Sequence, residues 1–381
     1  MLLDLLYLLS VLIIIYVFFG YLIILMLADL IIRKKIEPIK DIIMKKVLVV
    51  VTVHNEEKNI KNRLKNIFES DYPLDLLNVL IISDGSTDQT ENIIRSSKFY
   101  NIELLSLEQQ LGKSVAQNNL KNFIKDNEII VFTDAESLFD KNCLKEIVKS
   151  FSNPKVGAVG AKLIFQSNSN DGISSSQDLY WNYELKLRSY ETSLGILTSM
   201  SGACMSVRFD LFSELPSDVG EDCFIPLYVA NMGYKVIQND KALAYDKMKH
   251  TSLGELKTRI RMTKRNLKGT LMFHSLINPF KSFKYSFAIF SHKLLRWLSP
   301  LFLIFLSIAP FVFTGSFIFS LMPFKILIIL IYICGLLGFL FNIYGFKVFF
   351  FSQVYSFILA NIGFLLGITY FIFKSKKQTI Y

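Results

Sequence analysis

KKVLVVVTVHNEEKNIKNRLKNIFES, residues 45–70, and NVLIISDGSTDQTENIIRSS, residues 78–97, follow one plan. Each carries near its start a continuous run rich in β-branched residues, Val47–Val53 in the first and Val79–Ile82 in the second, as a strand covered on both faces requires. A polar turn follows, and then a helix. Asn55 stands where it can cap the first helix, with Glu56 and Glu57 in the first turn near the positive end of the helix dipole. Asp84-Gly85-Ser86 forms the second turn, with Gly where positive φ is cheap. Thr87 or Asp88 is placed to cap the helix after it. A short strand near Ile102–Leu105 then leads to LGKSVAQNNL, residues 111–120, where a helix begins near Lys113. Glu128–Thr133 reads as the next strand. Alternating strand and helix predicts an α/β, Rossmann-like domain with a mostly parallel sheet and helices on both faces.

In such sheets ligands bind beyond the carboxyl ends of the strands. Asn55, Asp84, Lys113 and Asp134 all fall at that edge or in the loops beside it. VFTDAESLFD, residues 131–140, puts Asp134 and Glu136 one residue apart at a strand end, in a chain of net charge +10. Two such acids repel unless a cation sits between them. Their hard oxygens suit Mg2+ or Mn2+, which would bridge them to a diphosphate. A helix cap or turn acid would explain Asp134 alone, but four polar groups converging on one edge favour a site. The chain has no GxGxxG and no GxxxxGK[ST], which disfavours a dinucleotide cofactor and a P-loop.

With 52% hydrophobic residues and a mean hydropathy of +0.39, the chain is too apolar for an ordinary soluble protein. Leu5–Ala28 carries no charge and is long enough to cross a bilayer core of about 30 Å. It lacks the basic start and small-residue cleavage site of a secretory signal, so it reads as a retained anchor. Leu298–Met322, Ile326–Gly345 and Val348–Phe373 are three more uncharged runs. The expected organisation is an N-terminal transmembrane anchor over 1–35, a globular domain over 36–275, a basic interfacial segment over 276–297 and a C-terminal region of about three spans over 298–381.

Arg33, Lys34 and Lys35 follow the first run, then Lys40, Lys45 and Lys46, which places the domain in the cytoplasm of an integral cell-membrane protein, with the N-terminus outside. Three C-terminal spans would leave the tail, Lys374–Lys377, outside against the same rule; a re-entrant segment would resolve the conflict. Residues 241–296 hold thirteen Lys or Arg against two acids, Asp246 and Glu255, enough to account for the excess charge. This stretch reads as a belt attracted to anionic membrane lipids, part of it facing a phosphorylated substrate. It runs into the spans and has no nucleic-acid motif, so nucleic acid is not an expected partner. Cys143, Cys204, Cys223 and Cys334 form no CxxC pair, which disfavours zinc and fits free thiols in a reducing compartment.

With these residues in view, the chain from roughly 47 to 270 resembles glycosyltransferase family 2, inverting nucleotide-sugar transferases with a GT-A fold. VTVHNEE resembles the family's first-strand motif, SDGSTDQT its signature after the second strand, GKSVAQN its Gly-Lys-x-x-Ala-x-Asn motif, TDAES its DxD position and GED at 220–222 its catalytic acidic motif. The resemblance implies that Asp84 faces the nucleotide base, with Thr52, Asn55, Glu56 and Glu57 lining the same donor pocket. Lys113 would approach the diphosphate or sugar. Asp134 and Glu136 would hold the metal and the nucleotide, with Glu136 replacing the family's usual second Asp. Asp222 is the expected base that takes the acceptor hydroxyl's proton. Glu221 lies beside it, and both acids could instead be ordinary helix N-terminal acids.

On the acceptor or phosphate side the candidates are Trp181, within the helix-like WNYELKLRSYE, and Arg261 and Arg265, on a helix expected over 255–271. Trp181 could equally be a core or membrane-interface residue. Leu256, Ile260, Leu267 and Leu271 form that last helix's apolar stripe, with Lys257, Arg261, Arg265 and Lys268 on another face. RIRMTKRN occupies the place of the Gln-x-x-Arg-Trp motif of processive synthases but lacks the Gln and the Trp.

The leading expectation is a membrane-bound glycosyltransferase that uses a nucleotide-sugar donor, a UDP-sugar first, and a lipid-linked or cell-envelope glycan acceptor, assisted by Mg2+ or Mn2+. A processive exopolysaccharide synthase and a non-catalytic nucleotide-sugar-binding subunit are the alternatives. A transporter ranks below them, because the central parts of the apolar runs hold no acid or base.

Overall fold

The structure, a computed structural model, describes residues 2–32, 43–123, 127–166, 172–247, 251–313, 322–346 and 348–373. The basic flank Arg33–Lys35 with Lys40, the tail Lys374–Lys377 and the stretch 314–321 of the expected Leu298–Met322 run lie outside the described residues.

Eight strands form one sheet: β1 Val47–Val53, β2 Leu77–Asp84, β3 Ile102–Leu107, β4 Ile129–Thr133, β5 Leu138–Phe139, β6 Val156–Gln166, β7 Cys204–Arg208 and β8 Lys235–Lys247. Their order is β3-β2-β1-β4-β7-β6-β8-β5. β1, β2, β3 and β4 pair in parallel, as do β6 and β8. β7 runs antiparallel to both β4 and β6, and the two-residue β5 antiparallel to β8. The sheet is therefore mixed: the βα alternation of residues 47–133 forces parallel pairing there, and the reversed β7 splices that half to the rest.

The helices are α1 Leu2–Ile32, α2 Ile60–Phe68, α3 Thr90–Arg95, α4 Lys113–Gln117, α5 Cys143–Ser150, α6 Gly172–Leu194, α7 Glu221–Asn231 and α8 Ser252–Leu271. They are followed by α9 Phe283–Val312, which includes a π-helical stretch at Ile289–Leu294, then α10 Met322–Ile343 and α11 Phe349–Phe373. Val47, Val49, Val51 and Val53 face one core, with Ile60, Leu64 and Ile67 of α2 and Leu144, Ile147 and Val148 of α5. Leu48 and Val50 face the other, with Ala116 of α4 and Phe224 and Leu227 of α7. Burial on both sides is why β1 reads as a continuous run dominated by β-branched residues.

Among the described residues, α1, α9, α11 and the Lys325–Ile343 part of α10 are long and apolar enough to cross a membrane. α9 starts fifteen residues before the expected Leu298, and Lys293 and Arg296 lie buried within it. α8 lies against α11, where a side chain at Gly367 would come within 2.6 Å of Thr263 Cβ and 3.1 Å of the Ile260 carbonyl. Small residues let the two backbones approach.

Candidate active site

The carboxyl ends of β1, β2 and β4 meet the loops before α2, α3 and α4 at one edge. Asn55 adopts φ +57°, and its side-chain oxygen accepts from Thr87 N at 2.7 Å. It does not cap α2, which begins at Ile60 behind a turn closed by Asn59 N to Glu56 O at 3.0 Å. The left-handed backbone at Asn55 turns its carboxamide toward the second loop instead. Glu57 completes the splice: its amide donates to Asp88 Oδ2 and its carboxylate accepts from Gln89 N, both at 3.1 Å. Neither expected cap residue is the N-cap of α3, which is Gln89; Asp88, one residue before it, accepts from Thr90 N through Oδ1 at 3.0 Å. On β1, the Thr52 hydroxyl is buried with no hydrogen-bond partner among the described residues.

Asp84 is 3% exposed. Its two carboxylate oxygens accept from Leu111 N at 2.7 Å and Gly112 N at 2.9 Å. It therefore anchors the loop that launches α4. The next residue, Gly85, sits at φ +68°, where a Cβ would also press within 2.7 Å of Gln110 N. Only glycine meets both conditions.

Lys113, thus positioned, fills the space between acids of distant elements. Its ammonium lies 2.6 Å from Asp134 Oδ1 at the end of β4 and 2.5 Å from Glu221 Oε1 at the start of α7. Burial disfavours its charge, but the two carboxylates outweigh that and raise its pKa. Arg265 of α8 reaches the same place, with Nη2 at 2.9 Å from Ser114 Oγ, 2.8 Å from the Val219 carbonyl and 3.7 Å from Glu221 Oε2. The cation that the acid at the end of β4 demanded is supplied by the protein itself on one side. Glu136, on the other, is exposed.

Glu221 and Asp222 are adjacent but differ electrostatically. Burial pushes the Glu221 carboxyl up, and the Lys113 and Arg265 charges overcome this and hold it below the ordinary glutamate value. Burial, and then the Glu221 charge, push Asp222 above the ordinary aspartate value against the opposing pull of Arg265, Lys293 and Lys113. A pair of carboxyls with pKa values driven apart is the pattern of divided acid–base roles. Gly220 leaves room for this, since a side chain there would collide with Asp222 Oδ1 and come within 2.8 Å of Asn266 Oδ1.

Among the described residues no group of three or more His, Cys, Asp or Glu side chains forms a ready metal site. Asp134 and Glu136 offer hard oxygen donors that fit Mg2+ or Mn2+ if a ligand's oxygens complete the shell. Glu56 stands close enough for both acids to raise its pKa, after the larger effect of its own burial.

The structure thus brings together Lys113, Asp134, Glu221, Asp222 and Arg265. Asn55, Glu57 and Asp84 shape the loops beside them. Arg261 is exposed on α8. Trp181 packs against β6, its Nε1 donating to the Leu163 carbonyl at 2.7 Å and its ring lying edge-on to Phe165. Among the described residues its ring and Nε1 meet Phe165, Arg188 and the Leu163 carbonyl, none of which belongs to the Lys113 cluster. Ser114 and Asn266 are not among the expected site residues, although Ser114 lies inside GKSVAQN and Asn266 closes RIRMTKRN.

Residues 48–215 match the model of Glycosyl transferase family 2. An N-acetylglucosaminyltransferase of Rhizobium meliloti is 23% identical over 268 residues, covering 65% of this chain and 62% of that protein. A beta-monoglucosyldiacylglycerol synthase of a Nostoc species is 28% identical over 166 residues, 42% of this chain and 35% of that protein. This chain thus spans less than two thirds of the length of either curated relative. Among solved structures, mannosyltransferase PcManGT from Pyrobaculum calidifontis, in complex with GDP-Man and Mn2+, superposes with a TM-score of 0.72 at 21% identity, covering 97% of this chain and 100% of that one. That likeness is one of fold, a GT-A-like mixed sheet with helices.

Proposed function

From the premise that this chain is a glycosyltransferase whose residues 48–215 belong to glycosyl transferase family 2, we propose that it moves a sugar, with inversion, from a nucleotide-sugar to a lipid-linked or cell-envelope glycan acceptor. The observation that carries this is Lys113 held between Asp134 and Glu221, with Asp222 next to the latter. As the acceptor oxygen bonds to the anomeric carbon, the bond from that carbon to the diphosphate oxygen breaks. The acceptor's proton passes to Asp222, whose raised pKa makes it a stronger base than a solvent-exposed aspartate. Lys113 and Arg265 present positive charge where the diphosphate departs. Asp134 and Glu136 would hold Mg2+ or Mn2+, which when bound supplies further charge to stabilise the leaving diphosphate. Thr52, Asn55, Glu57 and Asp84 frame the nucleotide side, with Asp84 acting through the loop it holds.

The four apolar helices support an acceptor in or near the bilayer. A relative named for a glucosyldiacylglycerol product supports a lipid acceptor. In this reading the domain faces the cytoplasm, where nucleotide-sugars are made. The test is a donor screen of the full chain in host membranes with Mg2+ or Mn2+, reading released nucleoside diphosphate. One UDP- or GDP-sugar should be consumed, and Asp134→Ala should abolish its consumption. No turnover of any donor, or full activity of the Asp134 variant, refutes the proposal.

A further inference from the structure

Lys293 lies in α9, outside the matched family region, and is 6% exposed. Its ammonium donates to the Thr198 carbonyl at 2.8 Å and to Cys223 Sγ at 3.4 Å. No carboxylate pairs with it among the described residues. A buried cation without a counter-ion is costly and calls for a reason.

Its surroundings supply one. The π-helical stretch Ile289–Leu294 turns three consecutive polar side chains inward. Ser291 Oγ meets Tyr16 OH at 2.6 Å, and His292 meets Glu191 at 2.7 Å and Glu184 at 3.1 Å. Lys293 is left for the catalytic side. Such π stretches are frequent at functional sites. Both partners of Lys293 adjoin Asp222. Cys223 follows it in α7, and Thr198 belongs to the segment whose Met200 N donates to the Asp222 carbonyl at 3.0 Å.

The charged groups that bear on Asp222 are Glu221 of its own helix, Arg265 of α8, Lys293 of α9 and Lys113 of α4. Lys113 is bound to Asp134 and Glu221, and Arg265 lies 3.7 Å from Glu221. Lys293 alone of these cations has no carboxylate partner among the described residues. We propose that Lys293 is a positioning residue for sugar transfer: it ties the Thr198 segment and the start of α7 to the membrane-spanning helix, and its charge keeps Asp222 ionised to accept the proton. This rests on Asp222 being the base. It makes the membrane helix part of the catalytic centre rather than only an anchor.

The experiment uses the full chain in membranes of the expression host, which supply acceptor, with UDP-N-acetylglucosamine and GDP-mannose as donor probes. Nucleoside diphosphate release is followed against pH for wild type, Lys293→Met, Lys293→Gln, Lys293→Arg and Asp222→Asn. Loss of the charge should move the acid limb of turnover upward by about one pH unit, a tenfold loss of rate below the limb. Donor affinity of the detergent-purified variants should be unchanged. Lys293→Arg should restore the limb. Lys293→Gln keeps a donor for the Thr198 carbonyl and should fold where Met does not, yet show the same shift. An unshifted limb in the neutral variants, even with slower turnover, reduces Lys293 to packing and overturns the proposal while Asp222→Asn is inactive. Wild-type turnover by Asp222→Asn removes the base, and this proposal with it.

Discussion

Asp222 and Glu221 share one helical turn and hold their protons with opposite strength. Turnover that needs ionised Asp222 should rise as pH climbs through a value above that of an ordinary aspartate. Glu221→Gln removes a charge that raises this value, so its acid limb should move to lower pH; an upward move would contradict the electrostatics. Asp222→Asn should cut turnover by about 10² to 10⁴, the usual worth of positioned proton transfer, with donor binding nearly intact. It should also unfold at higher temperature at neutral pH. A carboxyl whose pKa is raised on folding stabilises only while protonated and loses that contribution as pH rises through the folded value. Gly220→Ala should slow turnover as well, because its methyl takes the space of Asp222 Oδ1. Kinetics of that variant indistinguishable from wild type would mean that the carboxylate has room to move.

At the scale of elements, α8 carries the structural consequence. Its expected stripe of Leu256, Ile260, Leu267 and Leu271 suggested one apolar contact. In the structure α8 is wedged between two neighbours. Arg265 reaches the Ser114 hydroxyl and the Val219 carbonyl on one side. On the other, Gly363 and Gly367 of α11 admit Arg259 and Thr263. Gly367→Leu overpacks this contact and should cost about 1–3 kcal/mol. If α11 sets the position of Arg265, turnover should fall more than thermal stability in detergent predicts, with Gly367→Ala intermediate. Equal stability and activity to wild type would show that α8 and α11 part freely. The strands of the parallel half were legible because β1, β2 and β4 are buried runs rich in β-branched residues and bounded by turns. The start of α2 was not, because the left-handed backbone of Asn55 that delays it is fixed by its bond to Thr87, thirty-two residues away.

Over the whole molecule, a buried ionic network joins the long apolar helices α1 and α9 to the domain. Glu184 of α6 accepts from Arg188 at 3.1 Å, from Arg296 of α9 at 2.9 Å and contacts His292 at 3.1 Å. Tyr21 of α1 donates to Glu191 at 2.8 Å. Burial pushes the Glu184 carboxyl up, but His292, Arg188 and Arg296 outweigh it and hold it well below the ordinary value. Glu184→Gln strands those cations and should cost about 3–5 kcal/mol at neutral pH. The contribution of a depressed carboxylate is complete above its unfolded value and disappears as pH falls through the folded one. The gap in melting temperature between wild type and variant should therefore be constant near neutrality and close in acid. A reporter fused near residue 120 should lie in the cytoplasm and one at Met1 outside. Labelling of the domain from outside intact cells would reverse the orientation and cut it off from its donor.

The sequence by itself determined the repeating strand–turn–helix units, the edge where Asn55, Asp84, Lys113 and Asp134 gather, and apolar lengths sufficient for four crossings. These follow from periodicity, turn chemistry and length, all written within a few neighbouring residues. Tertiary structure alone decided that β7 is reversed between β4 and β6, and that the acid at the end of β4 pairs with Lys113. It also decided that Lys293 and Arg296 are interior cations rather than the charged border of a span. Arg296 finds Glu184 across 112 residues of chain. A lysine's sequence neighbours are the same whether it is bathed in water or buried against a carbonyl. Which of the two it is depends on partners brought in by the fold, and the free energy of a buried charge is set by those partners.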